Sequence, residues 1–250
     1  MTSHEALDYY TLHYQGASPE EWKEWHLQGA WPSKKLNKNL SEFDICDMYG
    51  VVYRTLARFA PFNRTLDIGC SAGDFLVPIR RASNESYGID IASFPGAWNV
   101  LEEKYSIKCQ QFNIDKGQLP FKDNIFSAIT MVMVLEHVFD VEHSVKEISR
   151  VLEPKGIAII QVPNIAYLKR RIQLLFGKFP ITADTSDPSF EKSWDGQHLH
   201  NFTLASLQTL FSRNNLIIED CRCFGRFAKI RSLWPSLLGG DLTILARRVD

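Results

Sequence analysis

The chain has 250 residues, 45% of them hydrophobic, and a formal charge of -1 from 28 Lys and Arg against 29 Asp and Glu. That length can bury one full core with an appendage. Near-neutrality excludes the basic excess of a nucleic-acid binder and the acidic tail of a disordered segment.

Five cysteines, Cys46, Cys70, Cys109, Cys221 and Cys223, are odd in number and scattered, which suits reduced thiols in a cytoplasmic protein. Cys221 and Cys223 alternate as in a strand and lack a second Cys/His pair at zinc spacing. The first ten residues are polar and acidic, unlike a signal or transit peptide. The longest apolar runs, Ala128–Leu135 and Ile157–Val162, are too short to span a bilayer, so no integral membrane segment is expected. Oligomeric state is left open, a homodimer included.

In chain order, residues 1–40 are rich in aromatics: Tyr9, Tyr10, Tyr14, Trp22, Trp25 and Trp31. Ser18-Pro19-Glu20-Glu21 is a capping box with proline at the first helical position, predicting a helix over Pro19–Gln28. From Ser41, Phe43, Met48, Tyr49, Val52, Leu56 and Phe59 recur at helical spacing as far as Pro61. Residues 1–60 are either a helical appendage or a lid whose aromatics line a substrate pocket.

From Arg64 strands and helices alternate: strands at Leu66–Ile68, Tyr87–Ile91, Lys108–Asn113, Phe126–Val132 and Ile157–Val162, with helices at Phe75–Ala82, Trp98–Tyr105 and Val141–Leu152. Such alternation predicts an α/β fold, a doubly wound, mostly parallel sheet. After Pro163 come a basic amphipathic helix (Ala166–Phe176), a polar stretch to His200, and a helix over Thr203–Asn214. Strands at Leu216–Phe224 and Asp241–Arg247, joined by a long connection, suggest a C-terminal antiparallel hairpin closing a seven-stranded sheet.

Ligands of such sheets bind beyond the carboxyl ends of the strands. The first strand is followed by a turn with Gly69 and Gly73, where backbone can approach a ligand at a helix start. Ser71 and Asp74 stand where a dinucleotide fingerprint needs its second and third glycines, which argues against NAD or FAD. Asp74 would repel a pyrophosphate but suits a cation. Asp90, about 20 residues on, is placed to accept ribose hydroxyls, and Asp115 could accept from an adenine amino group. A phosphate-free nucleoside carrying positive charge describes S-adenosylmethionine.

Leu66-Asp67-Ile68-Gly69-Cys70-Ser71-Ala72-Gly73, Tyr87-Gly88-Ile89-Asp90, Asp115 with Leu119-Pro120-Phe121, Val134-Leu135-Glu136-His137-Val138 and Ile148–Gly156 follow in order. Together they resemble the class I S-adenosylmethionine-dependent methyltransferases, whose Rossmann-like fold the chain is then expected to share. The resemblance covers Arg64 to Pro163, and Ser71 departs from it where the family often has glycine. It implies that Gly69, Cys70, Ser71, Gly73 and Phe75 shape the methionine site, and that Asp67 or Asp74 faces the amino group. It further implies that Asp90 holds the ribose, that Ile91 and Ile114 sandwich the adenine, and that Asn113, Asp115 and Val132 complete the cofactor site. Residues 61–250 then form the methyltransferase domain, with 163–203 an insertion that builds the acceptor pocket.

The expected acceptor is a hydroxyl of a small molecule or glycan, since a positioned histidine can take its proton. His137, His198 and His200 are the candidates, with Asp195 behind the latter two. Glu136-His137 also invites a metal. Quinone-pathway relatives of similar appearance carry another carboxylate three residues before the glutamate, and here that residue is Met133, so no metal is expected. A second function class stays open: a methyltransferase-fold accessory protein that binds a partner enzyme without methylating, a group that Phe176–His200 resembles.

Overall fold

The computed structural model describes residues 38–182 and 198–249. The expected helix over Pro19–Gln28, the aromatics from Tyr9 to Trp31, and Asp195 lie outside the described residues.

Helix α1 (Met48–Leu56) precedes β1 (Phe62–Ile68), followed by α2 (Leu76–Arg80), β2 (Ser83–Asp90), α3 (Pro95–Tyr105), β3 (Ile107–Gln111), β4 (Phe126–Val132), α4 (Val141–Val151) and β5 (Leu152–Pro163). Then come α5 (Leu168–Leu175), α6 (Leu204–Ser212), β6 (Leu216–Arg222), two short helices α7 (Ala228–Arg231) and α8 (Pro235–Leu238), and β7 (Asp241–Arg248). The seven strands lie in the order β3-β2-β1-β4-β5-β7-β6. β1 to β5 are parallel, and β7 runs antiparallel between β5 and β6. This is the expected doubly wound, Rossmann-like sheet with its antiparallel hairpin.

The central strands are apolar because both sheet faces are covered. Leu66, Ile129, Met131, Ile160 and Ile244 are buried in one continuous core with Val145 and Ile148 of α4 and Leu207 and Phe211 of α6. α1 closes another part of the sheet through Val52, Tyr53 and Leu56, which pack with Phe75, Ile79 and Ile159.

Helix ends follow their caps. The Asp47 carboxylate accepts from the Tyr49 and Gly50 amides, Asp140 caps α4 at the His143 amide, and Thr203 and Ser206 form a reciprocal box at α6. The helical spacing from Ser41 is interrupted for the same reason. Asp44 turns the chain by accepting from the Cys46 amide, so α1 starts only after Asp47 and a separate 3-10 turn covers Leu40–Glu42. β5 begins at Leu152, earlier than expected. Its Glu153-Pro154-Lys155-Gly156 segment is an irregularity inside the strand, with Lys155 at φ 65° and a register shift against Phe126–Ala128.

No helix among the described residues is long and apolar enough to cross a membrane.

The crossing from β3 to β4 is stitched to α4 by Arg150, which pairs with both Glu147 and Asp123. Glu147 takes Arg150 Nε at 2.9 Å and Nη2 at 2.7 Å, and also accepts the Leu119 amide at 2.7 Å. Arg150 in turn donates to the Phe121 and Leu119 carbonyls at 2.9 and 3.1 Å. Glu147→Ala leaves the buried Leu119 amide without its acceptor, while Arg150 keeps Asp123 at 2.6 Å and its two carbonyls, so the change should cost about 1–3 kcal/mol in urea unfolding. A loss below about 0.5 kcal/mol would show the stitch to be dispensable.

Candidate active site

β1, β2 and β4 end side by side at the carboxyl edge of the sheet. Beyond Ile68 the chain turns through Gly69 and Gly73, at φ 79° and 84°, where a side chain is strained. Space forbids one as well: a Cβ on Gly69 would lie 2.2 Å from Val134 Cγ2, and one on Gly73 2.3 Å from Leu101 Cδ1. Ser71, at φ 49°, stands at the exposed crest of the turn.

Asp90 fixes that crest. Its Oδ2 accepts from the Ser71 amide and its Oδ1 from the Ala92 amide, both at 2.8 Å. Trp98 of α3 adds an indole N–H to the Ser71 carbonyl at 2.8 Å.

A cavity of ≈ 290 Å³ opens here, lined by Gly69, Ser71, Asp90, Ile91, Asn113, Ile114, Asp115, Val132 and His137 among the residues expected from sequence. The lining also takes in Tyr49, Phe94, Phe112, Met133, Val134 and Val138. Phe94 and Phe112 carry no motif, whereas Val134 and Val138 fall in the motif after β4, Met133 just precedes it, and Tyr49 belongs to the aromatic N-terminal region.

Asp67, Cys70, Gly73, Asp74 and Phe75 do not line this cavity. Asp67 is buried in β1 and accepts the Thr130 hydroxyl at 2.6 Å. Cys70 is buried beside Gly88 and Cys109. The Phe75 ring stacks on Tyr53 at 4.8 Å, and its carbonyl accepts the Tyr53 hydroxyl at 2.9 Å. Asp115 lines the cavity with one oxygen already engaged: Oδ1 accepts from the Phe139 and Asp140 amides at 3.0 Å each.

Three carboxylates gather under the turn. Burial pushes Asp67 up to about 8, against the Thr130 hydrogen bond and with help from the charges of Asp90 and Asp74. Burial likewise raises Asp74 to about 6, and it raises Asp90 against the pull of its amide donors. Tyr49 is driven to about 12 by burial and by the nearby Asp74 and Asp67. Asp67 is mostly protonated at neutral pH, so the charge beside the apolar cavity rests with Asp74 and Asp90, and a ligand with cationic groups fits there.

The far wall holds the histidines. A 3-10 turn, Leu135–His137, follows β4. The Glu136 carbonyl accepts from the Leu199 and His200 amides at 2.9 and 3.1 Å, and so draws the segment at 198–202 to the turn that carries His137. His198 meets His137 edge-on, with ring centroids 4.8 Å apart, and its Nδ1 lies 2.6 Å from Thr182 Oγ1. His200 stands aside, with Nε2 3.3 Å from the Phe139 carbonyl.

Glu136 is 1% exposed, and neither of its carboxyl oxygens has a hydrogen-bond partner among the described residues. Burial pushes it up to about 8. One ligand atom each from Glu136, His137 and His198 lie within 4.8 Å of one another, a two-nitrogen, one-carboxylate set that could hold a divalent cation. The position where sequence asked for a further carboxylate, Met133, does line the cavity, at φ 56°.

A glycine turn at a parallel-sheet edge, a clamping aspartate one strand over and a cationic preference define a class I S-adenosylmethionine-dependent methyltransferase site. Residues 41–220 match the family described as "Methyltransferase domain", and the chain belongs to that family. A demethylmenaquinone methyltransferase of Staphylococcus aureus (strain JH9) is 30% identical over 177 residues, covering 65% of this chain and 71% of the relative.

Among solved structures, an S-adenosylmethionine-dependent methyltransferase from Clostridium acetobutylicum ATCC 824 superposes with TM-score 0.59 at 13% identity, covering 90% of this chain and 97% of that one. The N-methyltransferase NodS from Bradyrhizobium japonicum WM9, in complex with S-adenosyl-L-homocysteine, gives TM-score 0.53 at 16% identity over 87% and 96%. The chain is a methyltransferase whose cofactor is S-adenosylmethionine.

Two outcomes follow from the geometry. Gly69→Ala combines left-handed strain with a clash against Val134, so calorimetry should show S-adenosylmethionine affinity falling at least tenfold; an unchanged affinity would mean that the turn yields freely. Glu136 releases its proton near the ordinary 4.5 when unfolded but near 8 when folded, so the folded chain holds the extra proton between these values and stability falls as pH rises through them. Thermal melts of Glu136→Gln should therefore decline less between pH 5 and about 8 than those of the parent.

Proposed function

We propose that the chain transfers the methyl group of S-adenosylmethionine to a hydroxyl of a small molecule or glycan in the cytoplasm, with the His137–His198 pair receiving the proton. The observation that carries this reading is the position of His137. It lines the same cavity as Ser71, Asp90 and Asp115, while its ring abuts that of His198.

Asp90, already anchored by two amides, keeps lone pairs for the ribose hydroxyls. Ile91 and Ile114 enclose the adenine, with Asn113, the free oxygen of Asp115 and Val132 around it. Asp74, with Asp67 beneath, attracts the amino group, and Cys70, Gly73 and Phe75 support the turn from behind. When bound, the cofactor supplies an electrophilic methyl on a sulfonium.

The chain's own residues do the rest: they hold the acceptor oxygen in line and accept its proton, the latter contributing about 10²–10⁴ in rate. Thr182 at His198 Nδ1 orients that ring, and His200, set aside near the Phe139 carbonyl, is the reserve acceptor. Residues 1–60, represented at the cavity by Tyr49, act as the lid, and residues 163–203 build the acceptor pocket. A small-molecule acceptor is consistent with the name of the Staphylococcus relative.

Calorimetry is the first test. Binding should tighten as pH rises through about 6, because Asp74 loses its proton there and the ammonium gains a charged partner. Absence of binding at millimolar S-adenosylmethionine would favour the accessory-protein reading. The second test is methyl transfer from labelled S-adenosylmethionine to hydroquinone, catechol and free-sugar acceptors. His137→Ala and His198→Ala should each lose more than tenfold in kcat; smaller losses in both would remove the histidine base.

A further inference from the structure

The described surface carries its apolar side chains in one place. Fifteen large hydrophobics are exposed, and ten of them fall in two segments: Leu168, Ile172, Leu174, Leu175, Phe176 and Phe179 on and after α5, and Phe227, Ile230, Leu233 and Trp234 on α7 and the approach to α8. Neither α5 nor α8 buries a single residue, so neither helix contributes to the core. Leu175 and Leu233 are 80% and 84% exposed. The two segments face each other across a groove whose walls include Leu168, Ile172, Phe227 and Ile230. Contiguous exposed apolar surface of this kind marks a binding face.

Charge says what binds. Lys169, Arg170, Arg171 and Lys178 lie in the first segment and Arg226, Lys229 and Arg231 in the second. No Asp or Glu occurs between Asn164 and Thr182, nor between Cys221 and Gly240. Cations interleaved with leucine, phenylalanine and tryptophan on short amphipathic helices match the interface of an anionic bilayer: the rings and aliphatic chains enter the headgroup boundary while lysine and arginine reach phosphate. A second copy of this chain would bring the same positive charge to the contact and repel it.

Position agrees as well. α5 starts just beyond Pro163, and β7, which follows α8, begins at Asp241 paired with Pro163, so both segments sit at the carboxyl edge of the parallel strands, where the cofactor cavity opens.

We propose that α5, α7 and α8 form a docking surface for an anionic lipid membrane, on which the protein lies peripherally with its cavity edge towards the bilayer. This does not depend on the acceptor or base proposed above. Each Lys or Arg brought near such a surface strengthens binding about fivefold, and salt screens the effect.

The test is vesicle cosedimentation of the full chain, with light scattering and S-adenosylmethionine calorimetry on the same samples. Vesicles of phosphatidylcholine with about one third phosphatidylglycerol should bind at least tenfold more tightly than pure phosphatidylcholine, and half-molar salt should abolish the preference. The double variant Leu233→Ser/Trp234→Ser and the triple variant Lys169→Glu/Arg171→Glu/Lys229→Glu should each reduce anionic binding at least tenfold with unchanged cofactor affinity. The triple variant touches only exposed charges, so it reads out the proposal even where the apolar changes harm folding. Equal binding to both vesicle types, or no binding to either, overturns the proposal. So does a dimer that dissociates in Leu233→Ser/Trp234→Ser while vesicle binding persists, which would make the face a contact between copies.

Discussion

Two hydrogen bonds to one carboxylate organise the cofactor end of this molecule. Asp90 closes β2, takes the Ser71 amide with one oxygen and the Ala92 amide with the other, and so ties the crest of the turn after β1 to the turn after β2. Charge-assisted bonds to amides are among the stronger polar contacts a protein makes. Here they hold Ser71 in a left-handed conformation that serine does not favour by itself. With the crest fixed, Gly69 can press against Val134 and Gly73 against Leu101, and the cavity wall acquires its shape. The charge cost is visible in the same place, since Asp67, Asp74 and Asp90 are crowded enough that burial and mutual repulsion lift Asp67 to about 8. A cationic ligand relieves that crowding.

Much of the parallel half was legible because its strands, buried on both faces, have to be continuously apolar. The motifs at their ends then had to fall at one edge. Thus Gly69, Ser71, Asp90, Ile91, Ile114 and His137, spread over some seventy residues, meet in one cavity. Irregular places were harder to read. Glu153-Pro154-Lys155-Gly156 has turn chemistry, yet the strand passes through it, because pairing to β4 resumes after the irregularity. The connection after Phe224 hid two short helices, since four-residue elements are too brief to show periodicity.

Roles in the site were less legible than positions. Asp115 reads as a ligand acceptor, but one of its oxygens is spent on the amides that start α4, a use that depends on tertiary placement and leaves no local signature. His137 and His198 are sixty-one residues apart, and no spacing rule brings them together. It is the backbone carbonyl of Glu136, engaged by Leu199 and His200, that delivers one ring to the other. The buried Glu136 side chain beside them was visible only as the neighbour of His137.

The placement of β7 sets an order of assembly. All five parallel strands are complete by Pro163, whereas β5 keeps one edge unpaired until Asp241–Arg248 arrives to fill it, and β6, synthesised before β7, has no other strand to pair with. During synthesis the nucleoside-binding half can therefore consolidate while an apolar strand edge stays open for nearly eighty residues of translation. Such an edge is a template for unwanted strand pairing. The whole intervening segment, with α5, α6 and β6, must emerge before β7 can close that edge.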